Sequence, residues 1–195
     1  MKLINGIIEA IITGMMKLLF VFLAKITTNI LIFFLQESLN WTTKASSGTL
    51  VVVGVIAIIV QGGLIGPLVK RFGEMKLTLI GSGFILLACF LLITSPKENA
   101  AANIYSAVSF LAVGAGLITP TLRALISKKL DGDNQGSILS NLQGLQSLGG
   151  VLGIGMAGRV YDDFGPKAPF IAGSIILLFM IYLIAEGKDN KISYN

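Results

Sequence analysis

Six stretches of the chain are nearly continuous in apolar residues over the roughly 20 positions that a membrane-spanning helix needs. They cover residues 18–35, 50–69, 77–94, 104–127, 138–158 and 168–185. The fifth is the most interrupted, by Ser140, Asn141, Gln143, Gln146 and Ser147, so a five-span reading competes with the six-span one. Ahead of the first span, Ile4, Ile7, Ile8, Ile11 and Ile12 recur at helical spacing and predict an interfacial or continuing helix. The expected organisation is an amino-terminal interfacial or linker helix (1–17), a transmembrane domain (18–187) and a short cytoplasmic tail (188–195). A cleaved leader is not expected, because the first apolar run is long, contains Lys25 and lacks a small-residue cleavage site after it.

The faces of these spans differ. At 100° per residue the first span lines up Lys25, Thr28, Asn29 and Gln36, with Leu23, Ile30 and Phe34 opposite. The fourth lines up Tyr105, Ser109, Gly116, Pro120 and Arg123, with Leu111, Ile118, Leu122 and Leu125 opposite. The fifth is small or polar around most of its circumference and keeps a narrow stripe of Ile138, Leu142, Leu145 and Leu152. The third and sixth are apolar all round, the pattern of a helix facing lipid. Spans one and four are thus expected to face a cavity, two and five to pack inside, and three and six to lie outermost. That order occurs twice, which predicts an all-α, polytopic six-helix bundle built as a 3+3 repeat.

Composition supports a bilayer over a soluble core. Charged residues make up 13% of the chain, about half the usual share of a soluble domain. The net charge of +5 does not point to nucleic acid, since the basic residues sit at the ends of apolar runs and form no clustered basic face. They set orientation instead. One side collects Lys2, Lys17, Lys70, Arg71, Lys76, Arg123, Lys128, Lys129, Lys188 and Lys191; the other collects Lys44, Lys97, Arg159 and Lys167. Ten against four predicts both termini in the cytoplasm of a protein of the plasma or inner membrane. Trp41 fits an interfacial anchor on the far side.

The segment after the second span reads Gly62-Gly63-Leu64-Ile65-Gly66-Pro67-Leu68-Val69-Lys70-Arg71-Phe72-Gly73-Glu74-Met75-Lys76. It resembles the signature that the major facilitator superfamily carries between the second and third helix of each half. That signature is a Gly, an Asp four residues on, then Arg, any residue, Gly and two basic residues. Gly66, Arg71 and Gly73 match, whereas Lys70 stands in the place of the Asp and Glu74 in that of the first basic residue. Carboxyl-terminal halves of the family often carry such a degraded version. The segment from Gly116 to Pro120 through Gln135-Gly136, and then from Gln143-Gly144 to Gly165, is similar to the family's tenth and eleventh helices. Drug-efflux-like members are the nearest in pattern, with a departure at Gly155-Met156 where many have Gly-Pro. The resemblance runs from Leu18 to Ala185. It implies six spans equivalent to the carboxyl-terminal half of a twelve-span carrier, acting by alternating access on a small solute.

Several residues carry candidate chemistry beside a structural reading. Lys25 lies near the middle of a span, where an exposed charge costs about 2.5–3.5 kcal/mol on insertion scales. It is expected either to line a substrate cavity with Asn29, Tyr105, Ser109 and Arg123 or to bond helix carbonyls and Asn29. Arg123 also suits a topological anchor near the cytoplasmic end. Gly62 with Gly66, and Gly149 with Gly153, form small-xxx-small pairs that let helices approach closely. With Gln143 and Gln146 they define candidate packing faces, either within the chain or between two copies. Expected partners are therefore the lipid bilayer, a small-molecule substrate, and a second copy of the chain or a separate amino-terminal half.

No metal or cofactor is expected. Histidine is absent, and the run from Asp131 to Gly136 mimics the start of a calcium loop but has Leu142 where the loop's final Glu belongs. No carboxylate lies deep in a span, so an acid for proton coupling belongs to a partner half. Asn40-Trp41-Thr42 has the pattern of a glycosylation site but abuts the membrane, and Cys89 reads as packing. An intramembrane hydrolase with Lys25 activating Ser140 or Ser147 would need an oxyanion site or triad, and neither is legible. The remaining competitor is a transporter remnant or a membrane subunit without a path of its own.

Overall fold

The computed structural model describes residues 30–96, 100–127 and 135–192, and among them every regular element is helical. The elements are α1 (residues 30–38), α2 (Thr43–Phe72), α3 (Glu74–Thr94), α4 (Ala101–Ser127), α5 (Gln135–Phe164) and α6 (Ala168–Ile192). Residues 1–29 lie outside the described residues, and with them the expected interfacial helix and most of the first span. Of the predicted spans, α2, α3 and α4 are long and apolar enough to cross a membrane, and Ala168–Tyr182 is a shorter apolar helix.

Local chemistry sets the boundaries. Asn40, at φ 53°, turns the chain after α1, and the Trp41 amide donates to the Leu35 carbonyl at 3.0 Å. Thr42 then caps α2, its hydroxyl accepting from the Ala45 amide at 3.3 Å. With that cap, α2 begins seven residues before the apolar run, and Lys44 sits in its first turn. A single residue, Gly73, separates α2 from α3; its φ of 77° and ψ of 160° belong to a region that is essentially reserved for glycine. Lys70 and Arg71 in the last turn of α2 and Glu74 in the first turn of α3 each oppose the charge of their helix end. Gly165, at φ 89°, closes α5, and its amide donates to the Tyr161 carbonyl at 2.9 Å.

A feature that periodicity did not predict lies inside α2. Val60–Leu64 widens into a π-turn, in which the Ile65 amide reaches back to the Val60 carbonyl. Pro67 stands just beyond it, with no N–H for the Gly63 carbonyl and a ring that crowds it. A local widening next to such a proline is a known way for a helix to absorb the misfit.

The helices pack around α4. One core joins Ile85, Ala88 and Cys89 of α3 to Leu111, Ile118 and Leu122 of α4 and to Leu177 and Met180 of α6. A second gathers Ile30, Leu31, Phe34 and Leu35 of α1 with Ile104 and Val108 of α4, Ala157 of α5 and Phe170 of α6. Within it the Phe34 and Phe170 rings meet edge to face at 5.3 Å. A third, smaller core joins Val60 of α2, Leu77 of α3 and Leu117 of α4.

Burial within this chain does not follow the expected order of the spans. The third span, expected outermost, is deeply packed on α4, while 11% of the apolar window of α2 is buried against 50% in α4. Hydrocarbon is as apolar as leucine, so an all-apolar helix carries no sign of whether lipid or protein covers it. Small residues decide. A Cβ on Gly81 would lie 2.7 Å from Ile118 Cγ1, and one on Gly116 would lie 3.0 Å from Val60 Cγ1. The backbones of α3 and α4 therefore touch, and α2 is held to α4 at Val60.

Candidate functional site

The family-type segment at the α2–α3 junction owes its shape to two residues. Gly73 supplies the turn that no other residue adopts without strain, and Arg71 lies over the Phe72 ring at 5.5 Å. Lys70, Arg71 and Lys76 are exposed, and a Cβ on Gly66 would meet nothing within 4 Å. Lys70 and Arg71 together with Lys76 make this end of the hairpin basic.

Immediately inside it, α3 and α4 share a buried polar contact. The hydroxyls of Thr78 and Thr121 stand 3.1 Å apart. Thr78 Oγ1 also lies 2.9 Å from the Glu74 carbonyl, and Thr121 Oγ1 lies 2.8 Å from that of Leu117. Each hydroxyl has one hydrogen, so one threonine donates to its own helix and accepts from the other. Ser82 donates to the Thr78 carbonyl at 2.8 Å and extends the polar row along α3.

The opposite end gathers aromatic and hydroxyl side chains. Trp41 and Tyr105 rings lie 5.9 Å apart, and the Tyr105 hydroxyl would be 3.5 Å from a Cβ on Gly48. Thr49 donates to the Ser46 carbonyl at 2.6 Å. The hydroxyls of Ser46 and Ser95 are buried without a hydrogen-bond partner among the described residues. Across the same end, Tyr161 Oη of α5 donates to Glu37 Oε2 of α1 at 3.0 Å.

Of the residues expected to line a cavity, Lys25 and Asn29 lie outside the described residues. Tyr105 and Arg123 are exposed, and Ser109, half-buried, donates to the Tyr105 carbonyl at 2.7 Å. The polar face of α4 is covered by α2 at two points, Gly48 opposite Tyr105 and Val60 opposite Gly116. Among the candidate packing residues, a Cβ on Gly62 would meet nothing within 4 Å, Gln143 is exposed, and Gly149 and Gly153 are buried. The Gln146 side chain lies outside the described residues.

Sequence reasoning missed Gly81, Gly114, the threonine pair and the Glu37–Tyr161 bond. The glycines had a visible signal, small residues in otherwise bulky apolar spans. The polar pairs had none, since they join positions far apart in sequence.

Residues 5–154 match the family model of the Major Facilitator Superfamily. The class C tetracycline resistance protein of Escherichia coli is 26% identical over 145 residues, 73% of this chain and 36% of that protein. The class D tetracycline resistance protein of Salmonella ordonez is 30% identical over 141 residues, 70% of this chain and 35% of that protein. Multidrug resistance protein 2 of Bacillus subtilis is 21% identical over 158 residues, 81% of this chain and 38% of that protein. The chain thus spans little more than a third of the length of these curated relatives. With a match over most of its length and with helices apolar enough to span a bilayer, this chain belongs to the Major Facilitator Superfamily.

Proposed function

We propose that the chain is a half-size secondary carrier, six helices similar to the carboxyl-terminal half of the family's fold, that exports a small solute by alternating access. The family match over residues 5–154 carries this reading. The relatives named for tetracycline and multidrug resistance support an efflux direction and make tetracycline the first substrate to try. The basic α2–α3 hairpin, together with the ten-to-four asymmetry of Lys and Arg, supports a plasma or inner membrane orientation with both termini cytoplasmic.

In this reading the six helices form a 3+3 repeat. Parallel halves of such carriers are related by an axis along the membrane normal, so a second copy inserted the same way supplies the other half. Open space beside Gly62 and Gly66 and the exposed Gln143 support α2 and α5 as the faces that meet it, with Gln146, Gly149 and Gly153 on the same helix as Gln143. Lys25, Asn29, Tyr105, Ser109 and Arg123 would then face a shared cavity. A cavity with a lysine from each copy suits an anionic group on the solute.

The second reading, a subunit that depends on a separate amino-terminal half, is supported by the coverage of its relatives. Tetracycline flux into liposomes holding the purified chain separates the two. Flux that Lys25→Met abolishes and Lys25→Arg partly keeps is the result expected of the first. Absence of flux, with no dimer trapped through Gln146→Cys in native membrane, establishes the second.

A further inference from the structure

We infer that the hydrogen bond from Tyr161 to Glu37 is a reversible latch that holds α1 against α5 at one end of the bundle. The inference rests on the carrier reading for its purpose but not for its test. The two side chains are 124 residues apart in sequence and meet at 3.0 Å. Glu37 is exposed and sits in the π-turn Phe34–Ser38 that ends α1; Tyr161 is half-buried, one turn before the end of α5.

The two ends of the bundle are built differently. Where α3 begins and α4 ends, the bond between helices is the buried Thr78–Thr121 pair, and the Gly81 and Gly114 backbones are in direct contact. With no room for a Cβ at either glycine, α3 and α4 pack backbone to backbone there, and that contact makes the pair resist separation. Where α1 and α5 end, the contact beneath the latch is apolar, Leu35 and Phe34 near Ala157 and Phe170. Apolar contacts have no preferred direction and permit sliding. The Glu37–Tyr161 tie there is open to water at Glu37, whose carboxylate is rehydrated when the bond opens. Breaking it costs little, and restoring it needs no rearrangement of the core. A joint of this kind opens and closes at one end while the other stays bolted.

The test uses the full chain in lipid nanodiscs, in a Cys89→Ala background. Spin labels at Gln36→Cys and Asp163→Cys report the distance between the ends of α1 and α5. A second pair at Lys76→Cys and Arg123→Cys reports the opposite end. Tyr161→Phe is expected to raise the long-distance population of the first pair by roughly two- to tenfold, the range of one modest hydrogen bond, and to leave the second pair unchanged. Glu37→Gln keeps a carbonyl acceptor and is expected to behave as the parent, whereas Glu37→Leu is expected to behave as Tyr161→Phe. An unchanged distribution in Tyr161→Phe overturns the latch, as does equal broadening of both label pairs. Parallel flux assays keep the two ideas apart: a chain that opens on Tyr161→Phe without transporting anything leaves the latch standing and removes the carrier reading.

Discussion

Gly81 and Gly114 face each other across α3 and α4 with no room for a side chain on either, since a Cβ on Gly114 would lie 2.6 Å from the Gly81 carbonyl oxygen. Backbone contact of this kind gives the two helices their dispersion energy in a solvent that provides no hydrophobic drive between them.

Gly114→Ala is therefore expected to push α3 and α4 apart. The added methyl meets a backbone oxygen and Ile85 Cγ1, both at 2.6 Å, and the backbone oxygen cannot move aside alone. A loss of about 1–3 kcal/mol follows for overpacking of this kind. Reversible unfolding in mixed micelles measures it. Gly62→Ala, which enters open space, provides the control and is expected to stay within about 0.5 kcal/mol in the monomer.

Gly73→Ala separates backbone strain from packing. A Cβ there meets nothing within 4 Å, yet φ 77° with ψ 160° disfavours any L side chain. The expected cost is about 1–3 kcal/mol. Gly66→Ala, seven residues earlier in an ordinary helical turn, is expected to cost far less. Equal losses in the two variants, measured by the same unfolding assay, would contradict the assignment of strain to Gly73.

The Thr78–Thr121 pair is expected to couple weakly. Thr78→Val, Thr121→Val and the double variant close a thermodynamic cycle, and polar pairs between membrane helices average about 0.6 kcal/mol. Each hydroxyl keeps a carbonyl of its own helix as an alternative partner. A coupling energy near zero would mean that the helix carbonyls satisfy both hydroxyls on their own.

Topology is checked by single cysteines in the Cys89→Ala background. With an impermeant reagent on intact cells, positions Lys44 and Asp163 are expected to label, and Lys70 and Lys76 are expected to stay protected. Lys97 and the Lys128–Asp133 segment lie outside the described residues, yet the same count of spans places Lys97 outside and Lys128–Asp133 inside. Labelling of Lys129→Cys from outside would show that a span has been miscounted.

The sequence by itself determined that apolar stretches form helices here, because a chain without water around it must satisfy its amides internally. It also determined the buried side of α4: Leu111, Ile118 and Leu122, one stripe at helical spacing, all lie in the core with α3 and α6. The Gly66, Arg71 and Gly73 spacing at the hairpin identified the family before any contact was known. Tertiary structure decided which helix covers which. In hydrocarbon, lipid and protein look alike to a leucine, so neither the depth of α3 nor the exposure of α2 was written in hydropathy. It also decided the pairs Thr78–Thr121 and Glu37–Tyr161. Each partner alone is an ordinary polar residue near a helix end, and only the fold brings their oxygens within 3.1 Å and 3.0 Å.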